Sequence, residues 1–228
     1  MADLVVALDL PTRADAAAVV ERLGDTVRWY KVGPVLFVAA GPDLVRDLVD
    51  RGKRVFLDLK WHDIPSVVAG AVAAAAGLGA ALATVHLAGG TAMLAAAAAA
   101  GGGRLRLVGV GVLTSLDGAA YGEVVGRAVD DVGVELERLA RVGAAAGLDG
   151  IVCSPGEARR LRSALGPRAL LVVPGIRPPG AAGDDQARCA GPRDAVLGGA
   201  DLLVVGRPVT AAPDCRAAAL EILRDMAG

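Results

Sequence analysis

The stretch Arg54-Val55-Phe56-Leu57-Asp58-Leu59-Lys60-Trp61-His62-Asp63-Ile64-Pro65 decides how this chain is to be read. It opens as a continuous apolar run, the pattern of a strand buried on both faces of a parallel sheet. It then places an acid, a base and a second acid where that strand ends. Side chains two apart on a strand share a face, so Asp58 and Lys60 are expected to point the same way. Ionised groups in an apolar setting are costly unless paired. Asp58, Lys60 and Asp63 so close together mark a place where charge is used for chemistry.

Similar apolar runs recur on both sides of this one. The expected strands are Leu4–Leu8, Arg28–Val32, Arg54–Asp58, Leu82–His86, Leu105–Val112, Gly150–Cys153, Ala169–Val173 and Leu202–Val205. Helical stretches fall between and after them, at 13–23, 42–51, 66–79, 91–100, 133–147, 155–165, 192–199 and 213–226. Eight strand–helix units of roughly 28 residues each fit a (β/α)8 TIM barrel, an α/β fold with a parallel eight-stranded barrel. The expectation is one barrel domain spanning residues 1–228. An open doubly wound sheet is the alternative, but no G-x-G-x-x-G follows the first strand. Segments 113–131 and 174–191 read as long loops after strands, on the barrel face where active sites sit.

Composition narrows the function classes. A net charge of −1 gives no global field toward nucleic acid or membrane, and 3% aromatics leave few platforms for stacking bases. The residues from Ile64 to Gly103 include no Asp, Glu, Lys or Arg, long enough to cross a bilayer. Pro65, His86 and the Gly pairs within it favour two small-residue helices around a buried strand instead. No basic segment or signal peptide opens the chain, and Cys153, Cys189 and Cys215 are widely spaced, so a reducing cytoplasm is expected. Each cysteine reads as a small buried hydrophobe, and His62 and His86, the two histidines, read as hydrogen-bonded structural residues. No zinc-ligand spacing, nucleophile elbow or Walker motif is present.

Polar residues gather where strands end: Asp9 after the first, Lys31 on the second, Asp58 and Lys60 on the third, with Asp63 beyond. Thr114 and Ser115 follow the fifth, Arg177 the seventh, and Gly206-Arg207 the eighth. In a barrel these ends form one ring. The loops after the seventh and eighth strands often bind phosphate. Gly206 lets a ligand approach the backbone, Arg207 can fork two hydrogen bonds to phosphate oxygens, and Gln186 can add an amide donor.

The ordered motif set resembles the orotidine 5′-phosphate decarboxylase family, in its bacterial type with the short D-x-K-x-x-D-I-P signature. The matching residues are Ala7-Leu8-Asp9, Lys31-Val32-Gly33, Asp58 to Pro65, Val85-His86 with Gly89-Gly90, and Leu113-Thr114-Ser115. They continue with Cys153-Ser154 and Glu157, Pro174-Gly175-Ile176-Arg177-Pro178, Asp185-Gln186 with Arg188, and Val205-Gly206-Arg207-Pro208. The resemblance implies decarboxylation of orotidine 5′-monophosphate to uridine 5′-monophosphate, the last step of de novo pyrimidine nucleotide synthesis, with no metal or organic cofactor. It implies that Lys60 protonates C6 of the pyrimidine, that Asp58 lies near the departing carboxylate, and that Lys31 pairs with Asp58 and touches ribose. Asp63, with Ile64 beside it, is implied to reach the partner's site in a homodimer with shared active sites. Asp9 would bind ribose and Thr114 would lie on the pyrimidine side. Arg177, Gln186, Gly206 and Arg207 would hold the phosphate. The chain departs from the family in one place: Ser66-Val67 stands where Asn-Thr is usual. Val67 has no hydroxyl, so a weaker ribose contact, or compensation by Ser66, is expected. Two other readings share part of the pattern: a metal-dependent hexulose-phosphate-type aldolase or decarboxylase, and a non-catalytic phosphometabolite-binding barrel.

Overall fold

The computed structural model describes residues 2–177 and 190–228. Eight strands close in sequence order into one parallel barrel, β8 pairing back onto β1. They are β1 (Asp3–Ala7), β2 (Trp29–Val32), β3 (Arg54–Trp61), β4 (Leu82–His86), β5 (Arg106–Val110), β6 (Gly150–Val152), β7 (Leu170–Val173) and β8 (Leu202–Val205). The outer helices are α1 (Arg13–Leu23), α2 (Pro34–Ala40), α3 (Pro42–Asp50), α4 (Pro65–Gly77), α5 (Gly90–Gly101), α6 (Gly118–Val125), α7 (Val132–Ala145), α8 (Pro155–Leu165), α9 (Pro192–Leu197), α10 (Arg207–Thr210) and α11 (Cys215–Ala227).

Period-two alternation explains why the strands read as unbroken apolar runs. Val5, Trp29, Phe56, Leu82, Val108, Val172, Leu202 and Val204 fill the barrel interior. Their neighbours Val6, Tyr30, Leu57, Ala83, Leu107, Leu171 and Leu203 face the helices and join the outer core. Burial on both faces removes the polar alternation seen in half-exposed sheets. The same parity continues upward: Lys31 is two beyond Trp29, Asp58 two beyond Phe56, and Thr84 two beyond Leu82. The charged groups therefore occupy the layer above the apolar plug.

The charge-free stretch from Ile64 to Gly103 contains α4, β4 and α5, and the two helices pack on each other. Their buried faces are Val68, Val72 and Ala75 on one and Met93, Leu94 and Ala97 on the other. Among the described residues no helix is long and apolar enough to cross a membrane.

Several boundaries differ from expectation. The expected loop 113–131 contains α6, where Asp117 accepts a hydrogen bond from the Ala120 N–H at its start. Helix α2 was not expected. It is a seven-residue segment begun by Pro34 at a position where proline's missing N–H costs nothing. Strand β3 runs on to Trp61, and β5 stops at Val110. The base of the expected loop 174–191 is closed by a bridge in which the Arg177 N–H donates to the Ala190 carbonyl. The Ser154–Glu157 motif caps α8, the Ser154 N–H donating to Glu157 Oε2 at 2.8 Å. Cys153 and Cys215 are buried, and Cys189 lies outside the described residues.

Candidate active site

The C-terminal ends of the strands open into a cavity of about 520 Å³. Asp9, Lys31, Asp58 and Lys60, from β1 to β3, line it together with Arg177, Gly206, Arg207 and Thr210, beyond β7 and β8, and with Thr114, beyond β5. Between them lies an apolar floor that includes Ala7, Phe56, Val110, Val152, Val172 and Val204. Such a layout suits a ligand with an anionic end, a flat apolar body and a reacting end that must meet charge.

The charges interlock. Lys60 Nζ lies 2.9 Å from Asp58 Oδ1. Lys31 Nζ lies 3.6 Å from Asp58 Oδ2 and 2.8 Å from Asp9 Oδ1. Asp58 is buried, and these two ammonium groups pair with its carboxylate. Gly33 leaves room for Asp9 and Lys31. A Cβ there would come within 2.8 Å of Asp9 Oδ1 and 3.1 Å of Lys31 Nζ.

The backbone of β3 is distorted beside these charges. Leu57 pairs with Ala83 and Trp61 with Val85, so the three residues 58–60 on β3 stand opposite the single residue Thr84 on β4. Such bulges bend a strand and re-aim its side chains, and they recur beside active sites. Lys60 has φ of 49°, the left-handed region, and is the one non-glycine with positive φ among the described residues. That conformation costs an L residue about 1–2 kcal/mol. Despite the bulge the side chains keep their alternation: Leu59 and Trp61 pack on the outer core while Asp58 and Lys60 face the cavity.

Two features went unread in the sequence. Thr84, fully buried, donates from Oγ1 to Asp58 Oδ1 at 3.0 Å and accepts the Lys60 N–H at 2.8 Å. A threonine inside an apolar strand carries no signal of that role. His62 and His86 stack, with ring centroids 4.9 Å apart and planes 17° from parallel. His86 Nδ1 also accepts the Ala88 N–H. Burial first, then His62 and Lys60, hold the His86 imidazole below its ordinary value of 6.5.

Asp63 is not part of this cluster. It is exposed ahead of α4, and its Oδ1 accepts the Ile64 N–H at 2.6 Å. Within one chain the fourth charge of the cluster is Asp9. Ile64, Ser66 and Val67 are exposed beside Asp63. Gln186 lies outside the described residues, as do Pro178, Asp185 and Arg188.

Comparison with known proteins bears on this geometry. The family model described as Orotidine 5′-phosphate decarboxylase / HUMPS family matches residues 2–222. The chain belongs to this family. A relative from Anaeromyxobacter dehalogenans named orotidine 5′-phosphate decarboxylase is 51% identical, over 96% of both chains. One from Opitutus terrae with the same name is 47% identical, over 98% of both. The crystal structure of orotidine 5′-phosphate decarboxylase from Lactobacillus acidophilus superposes with a TM-score of 0.89 at 33% identity, covering all of both chains. The family's barrel and the barrel described above are thus the same fold.

Proposed function

We propose that this chain is an enzyme, a carboxy-lyase that converts orotidine 5′-monophosphate to uridine 5′-monophosphate and thereby completes de novo pyrimidine nucleotide synthesis in the cytoplasm. The observation that carries the reading is the Lys60 ammonium held against Asp58 in a cavity that Arg177 and Arg207 also line. Relatives aligned over nearly their full length and named for this activity support it.

The chemistry explains the residue types. When the bond from C6 to the carboxylate breaks, CO₂ departs and the electron pair stays on C6. No neighbouring carbonyl delocalises that pair. The Lys60 ammonium stabilises the developing charge and gives C6 its proton, ending as a neutral amine that solvent reprotonates. The proton donor is therefore the ammonium form of Lys60, and the Asp58 carboxylate lies against it at 2.9 Å. Lys31 opposes the repulsion between Asp58 and the substrate carboxylate, and with Asp9 it holds the ribose. Thr114 lies toward the pyrimidine. Arg177, Gln186, Gly206 and Arg207 take the phosphate, whose binding energy is spent on orienting the distant ring.

The reading includes a homodimer of single-domain barrels. Asp63 and Ile64 would enter the partner's cavity, completing an alternating array with Lys31, Asp58 and Lys60. Exposed apolar side chains on two successive strand–helix units support an interface there: Val35 and Val38 on α2, Ile64 and Val67 at the start of α4.

The test is a spectrophotometric assay with orotidine monophosphate, without added metal and with excess chelator. Turnover unaffected by chelator is expected. Turnover lost on chelation would favour the hexulose-phosphate-type reading. Among the described residues, no three His, Cys, Asp or Glu side chains are grouped as metal ligands.

A further inference from the structure

We infer that Thr84 is a positioning residue for the decarboxylation, acting through Asp58 and Lys60 and never touching substrate. The inference rests on the proposed function. Its geometric basis is the bulge on β3. Because residues 58–60 face the single residue Thr84, the Lys60 N–H has left the regular ladder between β3 and β4. The Thr84 hydroxyl replaces the missing acceptor at 2.8 Å. The carboxylate of Asp58 can only accept, so the hydroxyl proton goes to Asp58 Oδ1 at 3.0 Å. One buried oxygen thus holds the backbone of the proton donor in its left-handed conformation and the carboxylate that donor pairs with.

The same Asp58 Oδ1 receives Lys60 Nζ at 2.9 Å. The three contacts close a loop: Thr84 to the Lys60 backbone, along the Lys60 side chain to Asp58, and from Asp58 back to Thr84. Loss of the hydroxyl opens it at two points. The Lys60 N–H then lacks an acceptor within the strand pair and the carboxylate loses its one neutral donor, so the side chain of Lys60 is free to drift from C6. Misplacement of a reacting group by about 1 Å costs on the order of 100-fold in rate. Ground-state binding is expected to be spared, because Thr84 does not line the cavity that Arg177 and Arg207 line.

The experiment compares Thr84→Val, Thr84→Ala and Thr84→Ser, each checked for fold by uridine monophosphate binding. For Val and Ala, kcat is expected to fall about 100-fold, with KM within about threefold of the parent. Ser, which keeps the oxygen, is expected to recover most of the loss. Unchanged kcat in Val and Ala, a loss confined to KM, or a Ser variant as slow as Ala would overturn the inference. The Ala variant carries the comparison where Val does not fold. Crystal structures of the variants provide a reading independent of turnover: Lys60 Nζ is expected to leave Asp58. Retention of the 2.9 Å contact in both Val and Ala would overturn the inference even if the parent proves inactive on orotidine monophosphate. Parental inactivity by itself would remove the proposed function.

Discussion

Lys60 Nζ and Asp58 Oδ1 meet at 2.9 Å although only one residue separates them on the same strand. Asp58 is the less exposed partner and is held by Thr84 and Lys31 as well. The Lys60 side chain is held by Asp58 alone among the described contacts, while the Thr84 hydroxyl holds its strained backbone.

That asymmetry separates chemistry from stability at position 60. Lys60→Ala is expected to abolish turnover while uridine monophosphate still binds, as titration calorimetry would read. Measurable turnover at the parental rate would take Lys60 out of its role. Lys60→Gly should be equally inactive but more stable than Lys60→Ala by about 1 kcal/mol, because glycine adopts positive φ without the Cβ clash. Chemical denaturation of the two variants checks the difference.

Asp63 gives a test of shared sites. Under the proposed dimer, the Asp63→Ala and Lys60→Ala proteins are each expected to be nearly inactive. Mixed and reassembled, they should regain activity, since one heterodimer site then holds Lys60 from one chain and Asp63 from the other. Mixtures no more active than their parents would argue that each barrel works alone.

Gly33 lies under the pair of Asp9 and Lys31. A Cβ at that position meets only the ends of two flexible side chains, which can move aside. Gly33→Ala should therefore leave the thermal midpoint within a few degrees of the parent and raise KM, by about tenfold if one hydrogen bond to ribose is lost. An unchanged KM would mean that Asp9 and Lys31 need not hold their present geometry.

The stacked histidines tie stability to pH. His86 has a lowered affinity for protons in the fold, through burial, His62 and Lys60. Above its ordinary value of 6.5 both folded and unfolded forms are neutral, and no penalty arises. As the pH falls below that value the unfolded chain takes up a proton that the fold resists, so stability declines. Protonation also removes the Nδ1 acceptor from the Ala88 N–H. Denaturation between pH 7.5 and about 5 should show the decline, and His86→Asn should flatten it. Equal slopes in both proteins would place the effect elsewhere.

The strand ends were legible because a buried parallel strand needs an apolar run, and a charge that follows such a run stands out. The bulge was not legible. Side-chain alternation through Leu57, Asp58, Leu59, Lys60 and Trp61 continues across it, so the residue pattern is that of a regular strand. Helices α2 and α6 were missed because both are short, and neither carries enough turns to show an amphipathic period. Glu157 belongs to the motif set, yet its described contact is a helix cap, a role any Ser-x-x-Glu before a helix can take.

Residue order by itself determined that eight apolar runs would alternate with helices, and that Asp9, Lys31, Asp58, Lys60, Arg177 and Arg207 would stand at strand ends. Those are local matters, set by burial and by the two-residue period of a strand. Tertiary structure alone decided which charges touch. Closing the barrel set β2 beside β3 and β3 beside β4, so that Lys31 meets Asp58 and a threonine 24 residues from Lys60 supplies its missing acceptor. Distances between side chains on neighbouring strands follow from register and bulge. These are properties of the paired strands, and neither strand's own sequence contains them.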